Sequence, residues 1–285
     1  MMHIKNPIIV DDAAVLQTMS ANPKLTSSFG KLSVHASVIS NAYIEYVMAQ
    51  GNPWKLSKPL TLTGGLDEAL RSHYKNEVSG LEFISKIRDE LCIASCPMCG
   101  STLPPGTVDH VIPKDVYPEF SFFSRNLVSA CDCNNGKGSI FKGKNPDERF
   151  FHPYFDKILD ERLVCIGFGS NVKKPDLSIK LIAPHDSNKT LKFHVKFLLA
   201  KTAVLTHADN SWGFISDQPG LDLSIKPIYR QSYTMEMLVD ELKQQVELHD
   251  KKHKNVNNWQ SMFYFGLLQS PIHLGHLLKR LKDGH

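Results

Sequence analysis

Six cysteines in 285 residues are too few for a disulfide framework in a chain this long. No apolar run approaches the roughly 18 residues a membrane-spanning helix needs. The opening segment, MMHIKNPIIVDDAAVL, lacks the long apolar stretch of a secretory leader and carries Asp11 and Asp12, so no signal peptide is expected. Internal repeats and low-complexity tracts are missing, which argues against a repeat array or a disordered linker protein. Strong charge is missing too. The 33 basic and 29 acidic residues leave a formal net charge of +4, which permits nucleic-acid binding without demanding it. What remains is a chain of ordinary composition, 42% hydrophobic and 22% charged, long enough for one large or two modest domains. The expectation is a cytoplasmic protein away from membranes, with its thiols reduced and available to a metal.

Four of the six cysteines fall in one stretch, residues 96–138, which reads CPMCGSTLPPGTVDHVIPKDVYPEFSFFSRNLVSACDCNNGKG. Cys96 and Cys99 have the two-residue gap of a zinc knuckle, whereas Cys131 and Cys133 are separated by a single residue. Such pairs, with a loop between them, can fold a patch of chain around one tetrahedral zinc. Between the pairs lie Asp109 and His110, a hard oxygen ligand beside a proton acceptor, which suits metal-assisted phosphodiester hydrolysis. Asn126 precedes the second pair, Asn134 follows its last cysteine, and Lys137 comes three residues later. The turn residues suggest a strand over TVDHVI, a loop through Pro118, a second strand near residues 126–129, and a helix starting at 133–134. Adjacent strand residues face opposite ways, so Asp109 and His110 can share one site only if the strand bends there.

The stretch resembles an HNH endonuclease, of the ββα-metal nuclease family, through CPMC, DHVIPK, NLVSACDCN and the Asn134–Lys137 step. The one-residue gap at Cys131–Cys133 departs from the two residues usual in that family. Its longer middle and the FHPYFD string resemble HNH subunits of Septu-type and retron-linked anti-phage systems, in which the nuclease is paired with an ATPase. The resemblance implies that His110 is the general base, that Asp109 and Asn134 hold a catalytic Mg²⁺ or Mn²⁺, and that Asn126 holds the loop positioning His110. Asn134 could equally cap the following helix. Lys137 and Lys114 would contact phosphate. Cys96, Cys99, Cys131 and Cys133 would hold structural Zn²⁺. The substrate would be nucleic acid, DNA before RNA such as transfer RNA, and an ATPase partner would dock on the flanking regions. The alternative is a non-catalytic, zinc-stapled adaptor that binds nucleic acid or protein.

The fold expected is α+β, a zinc-stapled ββα-metal HNH module embedded between a helical N-terminal region (1–92) and an α+β C-terminal region (156–285), with the module itself at 93–155. In the first region, residues 34–51 read as a helix with Val34, Val38, Ala42 and Tyr46 on its inner stripe. Residues 65–92 read as one longer helix, weakened at Gly80. After the module, RLVCIGFG and LSIKLIAP read as two strands. TLKFHVKFLLAKTAVL, MEMLVDELKQQVELHDKKHK and PIHLGHLLKRLKDGH read as helices. Cys92 and Cys165 are expected in the core, His152 in an aromatic cluster, and His249 with His253 on a solvated basic face.

Overall fold

The computed structural model describes residues 1–89, 94–103 and 105–284. Cys92 and Pro104, and with them the core placement of the one and the start of the turn containing the other, lie outside the described residues. The chain is α+β. Helices α1 (Asp12–Ala21), α2 (Lys31–Met48), α3 (Leu66–Lys75) and α4 (Phe83–Asp89) come first. An antiparallel hairpin of β1 (Thr107–His110) and β2 (Leu127–Ala130) follows, with His110 opposite Leu127 and Thr107 opposite Ala130. The short helix α5 (Cys133–Lys137) closes a β-β-α unit. A second hairpin, β3 (Val164–Phe168) and β4 (Leu177–Leu181), opens the C-terminal region. Helices α6 (Lys189–Phe197), α7 (Val204–Asp217), α8 (Pro219–Asp222), α9 (Met235–His253), α10 (Trp259–Leu268) and α11 (Pro271–Lys282) complete it. No helix among the described residues is long and apolar enough to cross a membrane.

The first hairpin is buried on both faces, and this organises the molecule. Side chains alternate along a strand. Val108, Ile112 and Leu127 enter a core built from the N-terminal helices with Phe120, Phe122 and Phe123. Val111, Val128 and Ala130 enter a second core, shared with Cys96, Cys99 and Cys133 and with the helices and β3 of the C-terminal region. The cysteine-bearing part of the module therefore packs as one body with the region after it.

The helix expected over 65–92 is two helices. Between them Glu77 has φ +41° and Gly80 φ +99°, so the chain turns although the apolar spacing continues. The turn is tied by the Glu77 carboxylate, which accepts from Ser85 Oγ and pairs with Arg88. The inner stripe of α2 also differs from expectation. Leu32, Ile39, Ala42, Tyr43 and Tyr46 point inward, while Val34 and Val38 are 77% and 44% exposed. Exposed Val34, Val38, Ile44, Val47 and Met48 lie among the polar residues of its outer side, and they blur the periodic signal of the stripe that is buried. It stops where Gln50 and Gly51 adopt positive φ, and Gly51 is needed there because a Cβ would run into the His152 ring.

The helix expected over 190–205 breaks after Phe197. A 3₁₀ turn at Leu199–Lys201 redirects the chain so that Leu198, Leu199 and Val204 are all buried. Helix α10 gives no amphipathic signal because it is buried on nearly all sides. Its Gly266 lies against the Ile166 backbone of β3, which leaves no room for a Cβ. His249 and His253 do not form a solvated face. His253 is buried and bonds Ala94 O through Nδ1 at 3.0 Å, and the His249 ring stacks on Tyr264. The His249 ring lies between Tyr264 of α10 and the His253 ring, while the neighbouring lysines Lys251, Lys252 and Lys254 are exposed.

Candidate functional site

The four cysteines meet. Their sulfurs all lie within 4.8 Å of one another, with Cys96 and Cys133 3.7 Å apart and Cys99 and Cys131 3.5 Å apart. Four thiolates at a Zn–S length of about 2.3 Å sit at the corners of a tetrahedron with edges of about 3.8 Å, so the residues fit zinc. The one-residue gap is accommodated by the junction of two elements. Cys131 follows the end of β2, Asp132 turns the chain with helical dihedrals, and Cys133 begins α5. The Cys131 N–H approaches Cys96 Sγ at 3.5 Å and the Ser101 N–H approaches Cys99 Sγ at 3.4 Å. Hydrogen bonds among the four thiols hold Cys96 and Cys131 below their ordinary pKa and push Cys99 and Cys133 above it, so without a metal the cluster keeps protons that a bound metal would displace.

The knuckle is locked from outside through its backbone. Four consecutive carbonyls, Pro97 to Gly100, accept in turn from Met2 N–H at 2.9 Å, His194 Nε2 at 2.7 Å, Trp259 Nε1 at 2.8 Å and Trp259 N–H at 3.0 Å. Gly100 has φ +80° and abuts the Asn257 carbonyl, so only glycine fits. His194 accepts the Phe151 N–H on Nδ1, so the proton sits on Nε2 and points at Met98 O.

Helix α5 carries this fastening to the chemistry. Asn134 Nδ2 donates to Thr107 Oγ1 at 3.3 Å, and one turn later Lys137 Nζ donates to Asp109 Oδ2 at 2.6 Å. Residues two apart on β1 thus meet residues three apart on α5. Asn134 Oδ1 is buried with no hydrogen-bond partner among the described residues. A buried acceptor without a donor is costly, and an oxygen-seeking cation would satisfy it. Asn134 makes no side-chain cap of α5.

Asp109 and His110 leave β1 on opposite sides, and the strand stays in register through both. Asp109 faces α5. His110 faces the N-terminal helices, where Nε2 donates to Ser121 O at 2.8 Å and the ring meets the Tyr74 ring edge-on at 4.3 Å between centroids. That bond leaves the proton-accepting lone pair on Nδ1, which has no partner among the described residues. Burial pushes the His110 pKa down to about 3, so the imidazole is neutral at pH 7. Tyr74 is itself held by its hydroxyl on Val108 O at 3.0 Å. In the sequence Tyr74 is one more position in a helical stripe, and nothing there marks it as the wall of a site.

Asn126 is fully buried and ties the ends of the loop between the strands. Its Oδ1 accepts from Ile112 N–H at 2.8 Å and Tyr46 Oη at 2.9 Å, and its Nδ2 donates to Ile112 O at 2.9 Å and Phe120 O at 3.3 Å. The loop so held includes Ser121, the acceptor for His110. His152 joins from beyond the module, ring to ring with Tyr154 and Phe155 and 3.1 Å from Tyr46 Oη.

The two lysines differ from expectation in unequal degree. Lys137 is 2% exposed, and its ammonium is spent on Asp109 and on His110 O at 2.5 Å. A carboxylate taken out of water needs a countercharge, and here the nearest cation supplies it rather than facing a phosphate. Lys114 is half-buried with Nζ above the Tyr74 ring, 5.7 Å from its centroid, on the same side as His110. Among the other basic residues after the module helix, Arg149 is paired with Asp156 and Lys142 lies over Trp54.

No family model matches the chain, and no solved structure matches it. The chain is similar to Protein ea31 of Escherichia phage lambda, 40% identical over 74 residues, which is 24% of this chain. The match spans a quarter, 25%, of that relative's length.

Proposed function

We propose that the protein is a metal-dependent endonuclease of the HNH type, hydrolysing phosphodiester bonds of nucleic acid. The observation that carries this reading is the pairing of α5 with β1, which sets Asn134 against Thr107 and Lys137 against Asp109 and leaves an Asn134 oxygen without a partner among the described residues, while on the other face of β1 His110 is fixed in the tautomer that accepts a proton. Asp109 and Asn134 are the residues that would hold Mg²⁺ or Mn²⁺, since both offer hard oxygen. Bound there, the cation supplies charge stabilisation to the phosphoryl oxygens and the leaving 3′ oxygen.

His110 Nδ1 takes a proton from the attacking water, while Ser121 O holds the opposite nitrogen. β1 does not bend at Asp109–His110, so the two would serve one phosphodiester only where it crosses the end of the strand, which His110 forms. The substrate's negative charge raises the proton affinity of the buried imidazole towards the range useful to a base. Attack in line with the 3′ oxygen leaves 5′-phosphate and 3′-hydroxyl ends. The cysteine cluster fixes α5, and through it Asn134.

The test is cleavage of plasmid DNA and of transfer RNA, offered in parallel with Mg²⁺ or Mn²⁺, by wild type and His110→Ala. The variant should lose about 10²–10⁴ in rate with fold and zinc content unchanged. Near wild-type activity in it sinks the assignment of the base. The effector role in an anti-phage system, with an ATPase docked on the flanking regions, rests on resemblance of the PK-x-x-YPEFS and FHPYFD strings. Purification from the native host without an ATPase would count against it.

A second reading is a zinc-stapled adaptor without catalysis. The Lys137 ammonium on Asp109 favours it, because that pair neutralises the carboxylate a cation would need. Silence on both DNA and RNA, with and without partner, would favour this reading over the first.

A further inference from the structure

We propose that Lys137 is a resident cation of the candidate active site, which holds the Asp109 carboxylate until a divalent cation displaces it. The inference rests on the reading of Asp109 and Asn134 as ligands and adds how that site is gated.

The geometry is specific. Lys137 Nζ lies 2.6 Å from Asp109 Oδ2 and 2.5 Å from His110 O, with 2% of its side chain exposed. The same face of α5 presents Asn134 Oδ1 one turn earlier, buried and without a donor among the described residues. The ammonium therefore satisfies the strand-side donors of the site and leaves the helix-side donor unsatisfied. The ammonium has three N–H donors and spends two of them, on Asp109 and on His110 O, and none is bonded to Asn134 Oδ1. A divalent cation takes several oxygen ligands, so one seated between β1 and α5 would draw on Asp109 and Asn134 together.

The two cations exclude each other. An ammonium within hydrogen-bond reach of a carboxylate oxygen stands where the metal's positive charge would be, and in a buried setting their repulsion is poorly screened. Metal entry must push the ammonium off Asp109. The flexible four-carbon stem lets it swing past Gly138, the positive-φ glycine that ends α5, towards solvent. There it becomes the phosphate-facing lysine that its position in the sequence suggests. Lys137 would thus act as a gate, lowering metal affinity until substrate phosphate offers the released ammonium a new partner.

The experiment uses the full zinc-loaded chain without nucleic acid, with free Mn²⁺ followed by electron paramagnetic resonance during titration. Lys137→Met should bind Mn²⁺ about tenfold or more tightly than wild type, the scale of an ordinary coupling between two ligands. Asp109→Asn should lose the binding in both backgrounds. Equal or weaker Mn²⁺ affinity in Lys137→Met overturns the proposal, as does the absence of Mn²⁺ binding by both proteins.

A second arm needs no variant. Acetylation of Lys137 in wild type, read by peptide mass, should rise when Mn²⁺ saturates the protein, with exposed Lys24, far from α5 in the sequence, as internal reference. Unchanged labelling overturns the proposal, and this arm decides if Lys137→Met does not fold. The nuclease reading fails separately, in the cleavage assay. Competition without cleavage would sink catalysis and keep the gate. Cleavage with no effect of Lys137 on metal affinity would sink the gate alone.

Discussion

The hydroxyl of Tyr46 on α2 donates to Oδ1 of Asn126 at 2.9 Å, across eighty residues of chain. The bond sits in a buried relay with fixed direction. His152 Nδ1 accepts the Tyr154 N–H at 3.1 Å, so its proton lies on Nε2 and is donated to Tyr46 Oη, whose own proton goes to Asn126. The N-terminal helices, the β1–β2 loop and the segment after the module are joined at this point, so each contributes to holding the loop that orients His110.

Tyr46→Phe removes the middle of that relay. His152 Nε2–H is left without an acceptor and Asn126 Oδ1 keeps one donor. The expected cost is about 1–3 kcal/mol of stability in urea unfolding, the range for stranding a buried polar group. A change under about 0.5 kcal/mol would mean the relay is solvated after all.

Asn126→Asp is the harsher test. A carboxylate would face the carbonyls of Ile112 and Phe120, which now accept from Nδ2. It would have to be protonated or repelled, at a cost of about 3 kcal/mol or more. The urea midpoint should drop well below that of Asn126→Ala. The reverse order would show that the amide's donors matter less than its volume.

Cys133→Ser should lose zinc, measured by metal analysis, and loosen both α5 and the knuckle. Trp259 reports the second effect, because its indole Nε1–H is held by Cys99 O inside the core. Its emission should shift to the red in the variant and in chelated wild type, while Asn134→Ala keeps both zinc and the native spectrum. Full zinc occupancy in Cys133→Ser would remove Cys133 from the ligand set.

Acid should unfold the protein well before its carboxylates titrate. Burial lowers the pKa of His110 and His152 to about 3 and of His194 to about 4, from an ordinary value near 6.5. Folded values below unfolded ones mean that the unfolded chain takes up protons first as pH falls through about 6.5. Stability is then lost progressively until the folded values are reached. Three such groups give a slope of up to about 4 kcal/mol per pH unit between roughly pH 5.5 and 4. The melting temperature should be level above pH 7 and fall steeply below 6, and a flat profile from pH 7 to 5 would contradict the burial of these rings.

Local chemistry made much of this legible. Cysteine spacing, the Pro and Gly turns and the alternation around Asp109 placed two short strands, a helix at Cys133 and a four-sulfur cluster, because each depends on residues close in sequence. The Asn126 side chain ties Ile112 to Phe120 within one loop, so that role too could be read from the module. The single residue between Cys131 and Cys133 did not prevent cluster formation, since a strand end and a helix start supply the turn.

Tertiary structure decided the rest. The buried face of α2 is blurred in the sequence by apolar residues on its outer side, and α10 has no periodic signal because neighbours cover it on nearly every side. The break between α3 and α4 came from positive backbone angles at Glu77 and Gly80, which leave the apolar spacing unchanged. Lys137 reads as a surface cation until folding places it beside a carboxylate with little water near. Whether a charge seeks solvent or an opposite charge depends on what is packed around it, and the partner here is 28 residues away on another element.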